Sequence, residues 1–166
     1  MKYIFVDPSG SFNEGKGHTG IAIIEDMDWN TLEYKSIAAK DYPNRHKYWE
    51  KIIETICDAV YDPTEIKVVI ESFMIRTQGF LMGKMPETIQ FIGALEFVLE
   101  DGGIEYSLQT PTQAKARFKD EDLPRYIPGF EKRDNGRYYL NGKQINDHIR
   151  DALKHLLYFI KYRKEK

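Results

Sequence analysis

Four side chains in this sequence have the types and settings for hard-cation chemistry: Asp7, Glu71, His148 and Asp151. Asp7 ends the apolar run "YIFVD" and Glu71 ends "VVIE", so each carboxylate closes a stretch that reads as a buried strand. Strand ends in α/β sheets are where sites are usually built. For one such acid the plainer explanation is a turn-forming aspartate before proline; a second acid similarly placed leaves both explanations open. The other two residues lie in "NDHIRDALKHLLYFIKYRKEK", whose apolar positions 149, 152, 153, 156, 157 and 160 share one helical face at about 100° per residue. His148 falls at the rim of that face beside Ala152, and Asp151 lies about 60° from it, on the side turned away from the core. The two form an i, i+3 pair able to lean over the end of a sheet. Asp147 has a competing explanation as a first-turn acid favoured by the helix dipole, and His155 reads as a packing or surface histidine. Two carboxylates with a His/Asp pair make an oxygen-rich donor set that suits Mg²⁺ or Mn²⁺ better than zinc. A pair of such ions, typically ~3.5–4 Å apart, activates water and stabilises the leaving oxygen of a phosphodiester.

Such a site needs a sheet to supply the first two acids and a terminal helix to supply the rest. "KYIFVD", "HTGIAIIED" and "LEYKSIAAKDY" read as three strands in an antiparallel meander. "RHKYWEKIIETICDAVY" has helical periodicity stopped by Asp62-Pro63, and "IKVVIES" is a β-branched run expected as a central parallel strand. "PETIQFIGALEFVLEDGG" is a helix with Pro86 near its start and Gly102 near its end; "IEYSLQT" is a fifth strand and "PTQAKARF" a short helix. Residues 119–142 have no period, though "FEKRDNGRYYL" allows a hairpin through Asp134-Asn135-Gly136. The order βββαβαβα predicts an α/β fold: a mixed five-stranded sheet, three antiparallel strands leading, with helices on both faces.

A chain of 166 residues is expected to make one domain, residues 1–166. No segment is apolar enough to span a bilayer and the N-terminal apolar run is too short for a signal peptide, so a cytoplasmic protein is expected. The single cysteine, Cys57, excludes an internal disulfide and a multi-cysteine zinc site. Net charge is −2, but residues 1–110 hold 10 Lys+Arg against 18 Asp+Glu, and residues 111–166 hold 14 against 8. That asymmetry fits a basic patch for phosphate, and equally the solvation of a terminal helix and its loop.

These motifs, in this order, make the chain resemble a RuvC-type Holliday junction resolvase of the ribonuclease H-like fold, most like the divergent phage-encoded members. "FVDPSGSF" with "HTGIAII" is similar to the family's opening hairpin, with Asp7 as its first metal-binding acid and Thr19-Gly20 on the return strand. "VVIESFMIRTQ" and "PETIQFIGALEFVL" resemble the strand ending in the second acid, Glu71, and the helix after it. "QTPTQAKARF" resembles the segment whose lysine contacts DNA, which puts Lys115 there, and "HIRDALKHLLY" carries a His-x-x-Asp form of the last ligand pair. Two departures stand out: the loop after Asp7 is longer than in bacterial resolvases, and residues 119–142 do not look like the bacterial segment.

The resemblance implies a homodimeric, metal-dependent endonuclease for branched DNA, holding two Mg²⁺ ions on Asp7, Glu71, His148 and Asp151, with Mn²⁺ as substitute. It places "GALEFVLE" on a dimer helix, which also reads as an ordinary core helix. Phe73 and Met74 are candidates to stack at unpaired bases, or core residues. Arg76, Lys84, Lys115, Arg117 and Lys119 are candidate phosphate contacts, each also explicable as a surface charge. The rival expectations are a ribonuclease H-like nuclease on structured RNA or less specific DNA, and a catalytically silent nucleic-acid-binding protein.

Overall fold

The computed structural model describes residues 1–9, 11–12, 16–73 and 87–162. A five-stranded mixed sheet has the order β3-β2-β1-β4-β5. The strands β1 (Lys2–Asp7), β2 (His18–Glu25) and β3 (Glu33–Ala38) form the expected antiparallel meander. Beyond β1, β4 (Ile66–Glu71) and β5 (Glu105–Gln109) add in parallel. Helices α1 (Arg45–Cys57) and α2 (Glu87–Asp101) are followed by the short α3 (Pro111–Lys115) and the terminal α4 (Asp147–Tyr162). α1 closes at Cys57, ahead of the Asp62-Pro63 stop. No helix among the described residues is long and apolar enough to cross a membrane.

Both faces of the sheet are covered, which is why its central strands read as unbroken apolar runs. Ile4, Val6, Val68 and Ile70 pack with Tyr48, Ile52 and Ile56 of α1 and with Phe91, Leu95 and Leu99 of α2. Tyr3, Phe5 and Val69 point the other way, into a second core with Ile149, Leu153, Leu156 and Phe159 of α4. Side chains alternate faces along a strand. Asp7 therefore shares a face with Tyr3 and Phe5, and Glu71 with Val69. Strand parity aims both acids at α4.

Gly20 sets how closely α4 approaches. It pairs with Asp7 across β1 and β2, and a Cβ there would lie 2.2 Å from the His148 carbonyl oxygen. Only a bare Cα lets the first turn of the helix rest on the sheet beside Asp7. Asn146 then fixes where the helix begins. Its side-chain oxygen accepts from the Ile149 N–H at 3.0 Å, and its amide donates to Ser36 Oγ on β3 at 2.7 Å.

The aperiodic stretch begins with a 3-10 turn, Asp120–Arg125, and forms a small sheet of β6 (Phe130–Lys132), β7 (Tyr138–Leu140) and β8 (Lys143–Gln144). The hairpin through Asp134-Asn135-Gly136 is present, with Gly136 at φ +75°. A second hairpin, not expected, turns through Asn141 and Gly142 at φ 49° and 77°. Asn-Gly is the signature of a two-residue turn, and it was hidden by strands only two or three residues long. Phe130, Leu140 and Ile145 bury this sheet against the α4 core.

Candidate active site

Val6 pairs with Ile70 in the parallel β1–β4 ladder, so Asp7 and Glu71 emerge side by side at the carboxyl end of the sheet. After β5, Thr110 and Pro111 start α3, and the Thr110 N–H donates to Gln113 Oε1 at 2.8 Å. This short helix returns Lys115 over the two acids. Its Nζ lies 2.9 Å from Glu71 Oε1, 2.7 Å from Asp151 Oδ2 and 3.8 Å from Asp7 Oδ1. Carboxylates from β1, β4 and α4 thus converge on one ammonium. His148 Nδ1 donates to Asp7 Oδ2 at 2.8 Å, and its ring stacks on His18 with centroids 5.7 Å apart and planes 11° apart. Thr19 anchors the chain after Asp7: its Oγ1 accepts from the Ser9 N–H at 3.1 Å and lies 3.0 Å from the Tyr48 hydroxyl.

A second tier supports these groups. His155 is fully buried, with Nε2 2.7 Å from Glu71 Oε2 and Nδ1 2.6 Å from Gln109 Oε1. Lys154 donates to Asp151 Oδ1 at 2.8 Å and also pairs with Asp120, which takes the Arg150 Nε at 2.8 Å. Arg150 in turn lies 4.7 Å over the Tyr138 ring of β7. The 3-10 turn and the small sheet are thereby wired to Asp151.

No family model matches the sequence, and no curated protein matches it. Solved structures do. RuvC of T. thermophilus in complex with a Holliday junction substrate matches at a TM-score of 0.63 and 16% identity, over 99% of this chain and 95% of that one. A Thermus thermophilus RuvC structure matches at 0.63 and 15%, over 99% and 96%. The chain has the fold of RuvC.

Within this RuvC fold, a ribonuclease H-like one, the two sheet acids are driven apart. Burial pushes the Asp7 carboxyl up to about 6, against the His148 hydrogen bond, and neighbouring Glu71 adds to the rise. Burial acts on Glu71 in the same sense, but the His155 hydrogen bond and charge and the Lys115 ammonium outweigh it and hold the carboxyl down at about 2. Burial opposes charge on Lys115 as well; Asp7, Asp151 and Glu71 overcome it and keep the ammonium well above its ordinary range. Burial likewise opposes charge on His148, and its bond to Asp7 prevails, raising it.

All four residues expected to form a site come together. Among the described residues, no three His, Cys, Asp or Glu side chains form a group set to hold a metal ion. The cation between the acids is the Lys115 ammonium, and every oxygen of Asp7, Glu71 and Asp151 faces a nitrogen. The donor set is nonetheless right in kind for a hard divalent ion: oxygen-rich, one imidazole, already gathered around positive charge.

Lys115 lies inside the carboxylate cluster. Phe73 is exposed just past β4, Lys119 is exposed, and Arg117 lies 5.6 Å over the Tyr162 ring. Met74, Arg76 and Lys84 lie outside the described residues. Asp147 is exposed in the first turn of α4, as a dipole-favoured acid would be. The residues that sequence reasoning passed over are His155, Gln109, Lys154 and Asp120. His155 is buried, as the packing half of its expectation has it, and both of its ring nitrogens are engaged as well. Two signals were available: His155 stands i+4 from Asp151, on the same stripe of the helix, and Gln109 closes β5 as Glu71 closes β4.

Proposed function

We propose that residues 1–166 form one nuclease domain that uses divalent metal ions to cut branched DNA, with four-way junctions as the preferred substrate. The observation that carries this is the convergence of Asp7, Glu71 and Asp151, from three separate elements, on a single positive charge at the carboxyl end of a RuvC-fold sheet. That one of the matching structures is a complex with a Holliday junction substrate supports the choice of substrate. Asp7, Glu71, Asp151 and His148 are the residues that would hold Mg²⁺ or Mn²⁺, which supplies an activated water and neutralises charge on the leaving oxygen of the phosphodiester.

The chain's own residues complete the chemistry. His148 holds Asp7 in place from one side. Lys115, once its carboxylate partners are otherwise neutralised, has an ammonium available for the scissile phosphate; this reconciles its position among acids with the phosphate contact expected of it. Phe73, Arg76, Lys84, Arg117 and Lys119 are assigned to the surrounding bases and phosphates. A homodimer through α2 is supported by the outward Phe97, 69% exposed, beside Gly93, where an added Cβ would meet nothing within 4 Å.

The test is cleavage of a labelled synthetic four-way junction in Mg²⁺ or Mn²⁺, beside linear duplex and a structured RNA, by wild type and Asp151→Asn. Paired symmetric nicks with 5′-phosphate ends are expected from the wild type, and none from the variant. Equal cutting of duplex or RNA would replace the resolvase reading with that of a general ribonuclease H-like nuclease. A variant that cuts at the wild-type rate would remove Asp151 from the site.

A further inference from the structure

We infer that His155 is a positioning residue for Glu71: it locks one carboxylate oxygen so that the other faces the cation site. The inference rests on the reading of Glu71 as a metal ligand. Glu71 and Gln109 are register partners at the ends of the parallel strands β4 and β5, so their side chains leave the same face about 4.8 Å apart. One imidazole descending from α4 reaches both. Nε2 lies 2.7 Å from Glu71 Oε2, and Nδ1 lies 2.6 Å from the Gln109 amide. Glu71 Oε1 is the oxygen left to Lys115, at 2.9 Å.

A packing role does not explain this arrangement. Of the neighbouring buried positions of α4, Ala152, Leu153, Leu156 and Leu157 are apolar and Lys154 is charged and paired with acids; a leucine at 155 would fill similar space without an imidazole to desolvate. Nδ1, on the other side of the ring, meets Gln109 Oε1, so the imidazole is held at both of its nitrogens. Gln109 thus orients His155, and His155 orients Glu71. Outer partners of metal-binding groups act in this way elsewhere, and their loss typically costs about 10–100-fold in metal affinity or activity.

The test measures Mn²⁺ binding to the full chain by the electron-paramagnetic signal of free Mn²⁺, with thermal unfolding in EDTA to identify variants that fold. His155→Leu is expected to weaken Mn²⁺ binding roughly 10-fold or more. His155→Gln, which keeps an N–H for Glu71 Oε2, is expected to recover most of that loss. Gln109→Leu, which frees the ring, is expected to weaken binding several-fold while leaving His155 in place. A folded His155→Leu with wild-type Mn²⁺ affinity overturns the inference; should it not fold, wild-type affinity in Gln109→Leu overturns it instead. Wild-type protein that takes up no Mn²⁺ and leaves junctions uncut defeats the reading of Glu71 as a ligand, and the inference with it. Normal uptake by wild type and variants alike defeats the inference alone.

Discussion

Asp7 and Glu71 carry the same functional group on neighbouring strands, yet their surroundings move them in opposite directions. Asp7 has one nitrogen at hydrogen-bond distance, Nδ1 of His148, whereas Glu71 takes both His155 and Lys115. Raised by burial, Asp7 favours folding in its protonated form. That stability is fully present below about pH 4 and is lost as pH rises through about 6. Glu71, held low, contributes stability above about 4.5 that is lost as pH falls toward 2. In EDTA, Asp7→Asn is expected to be more stable than wild type by about 1–3 kcal/mol at pH 7.5, the gain closing toward pH 4. Unfolding midpoints across that range measure it. A gain independent of pH would mean that burial of the Asp7 charge is not its source.

At the level of elements, the site depends on where α4 begins and how near it comes. Gly20→Ala would drive a Cβ into the His148 carbonyl, and main-chain atoms cannot yield as a side chain does. The expected cost is about 1–3 kcal/mol of stability. Junction nicking should fall further, since a ~1 Å misplacement of a reacting group can cost about 100-fold. Asn146→Ala removes the cap on Ile149 and is expected to cost about 1 kcal/mol in urea unfolding, with a smaller effect on nicking than Gly20→Ala. If the cap variant proved the worse nuclease, helix position would not be what the site depends on. The 3-10 turn and small sheet reach Asp151 through Asp120 and Lys154, so part of the basic charge of residues 111–166 is engaged within the protein. Lys115, Arg150 and Lys154 face acids, and Lys161 lies over the Tyr126 ring.

For the whole molecule, the proposed metal ligation by the gathered carboxylates would link metal binding to folding. Mn²⁺ at about 100 times its Kd should stabilise the native state by about 2.7 kcal/mol, roughly 5–10 °C in Tm for a chain of this size. Asp151→Asn should lose most of that shift, and a calorimetric scan with and without Mn²⁺ decides the matter; an equal shift in the variant would place metal elsewhere. Phe97→Glu puts a charge on the outward face of α2, where Phe97 is 69% exposed. On the proposed dimer through α2, this variant should sediment as a monomer and replace paired nicks by single, unpaired ones. A variant that stays dimeric would move the interface off α2.

From the sequence alone, the order of elements, the central parallel strand, the leading meander and the four residues of the candidate site were all legible. Periodicity encodes which face a residue takes: strand ends singled out Asp7 and Glu71, the helical wheel singled out His148 and Asp151, and the fold brings the four together. What lay beyond the sequence was decided by distances across the fold. A lysine side chain is long, and nothing local says that Lys115 turns inward to three acids instead of outward to solvent. His155 looked inert because its partners, Glu71 and Gln109, are far away in the chain and meet only through the β4–β5 register. The β8 hairpin escaped notice because strands of two or three residues are too short to show a period. Periodicity is local and assigns the faces; contact requires register and depth of approach, and those exist only once the sheet has formed and α4 has settled against Gly20.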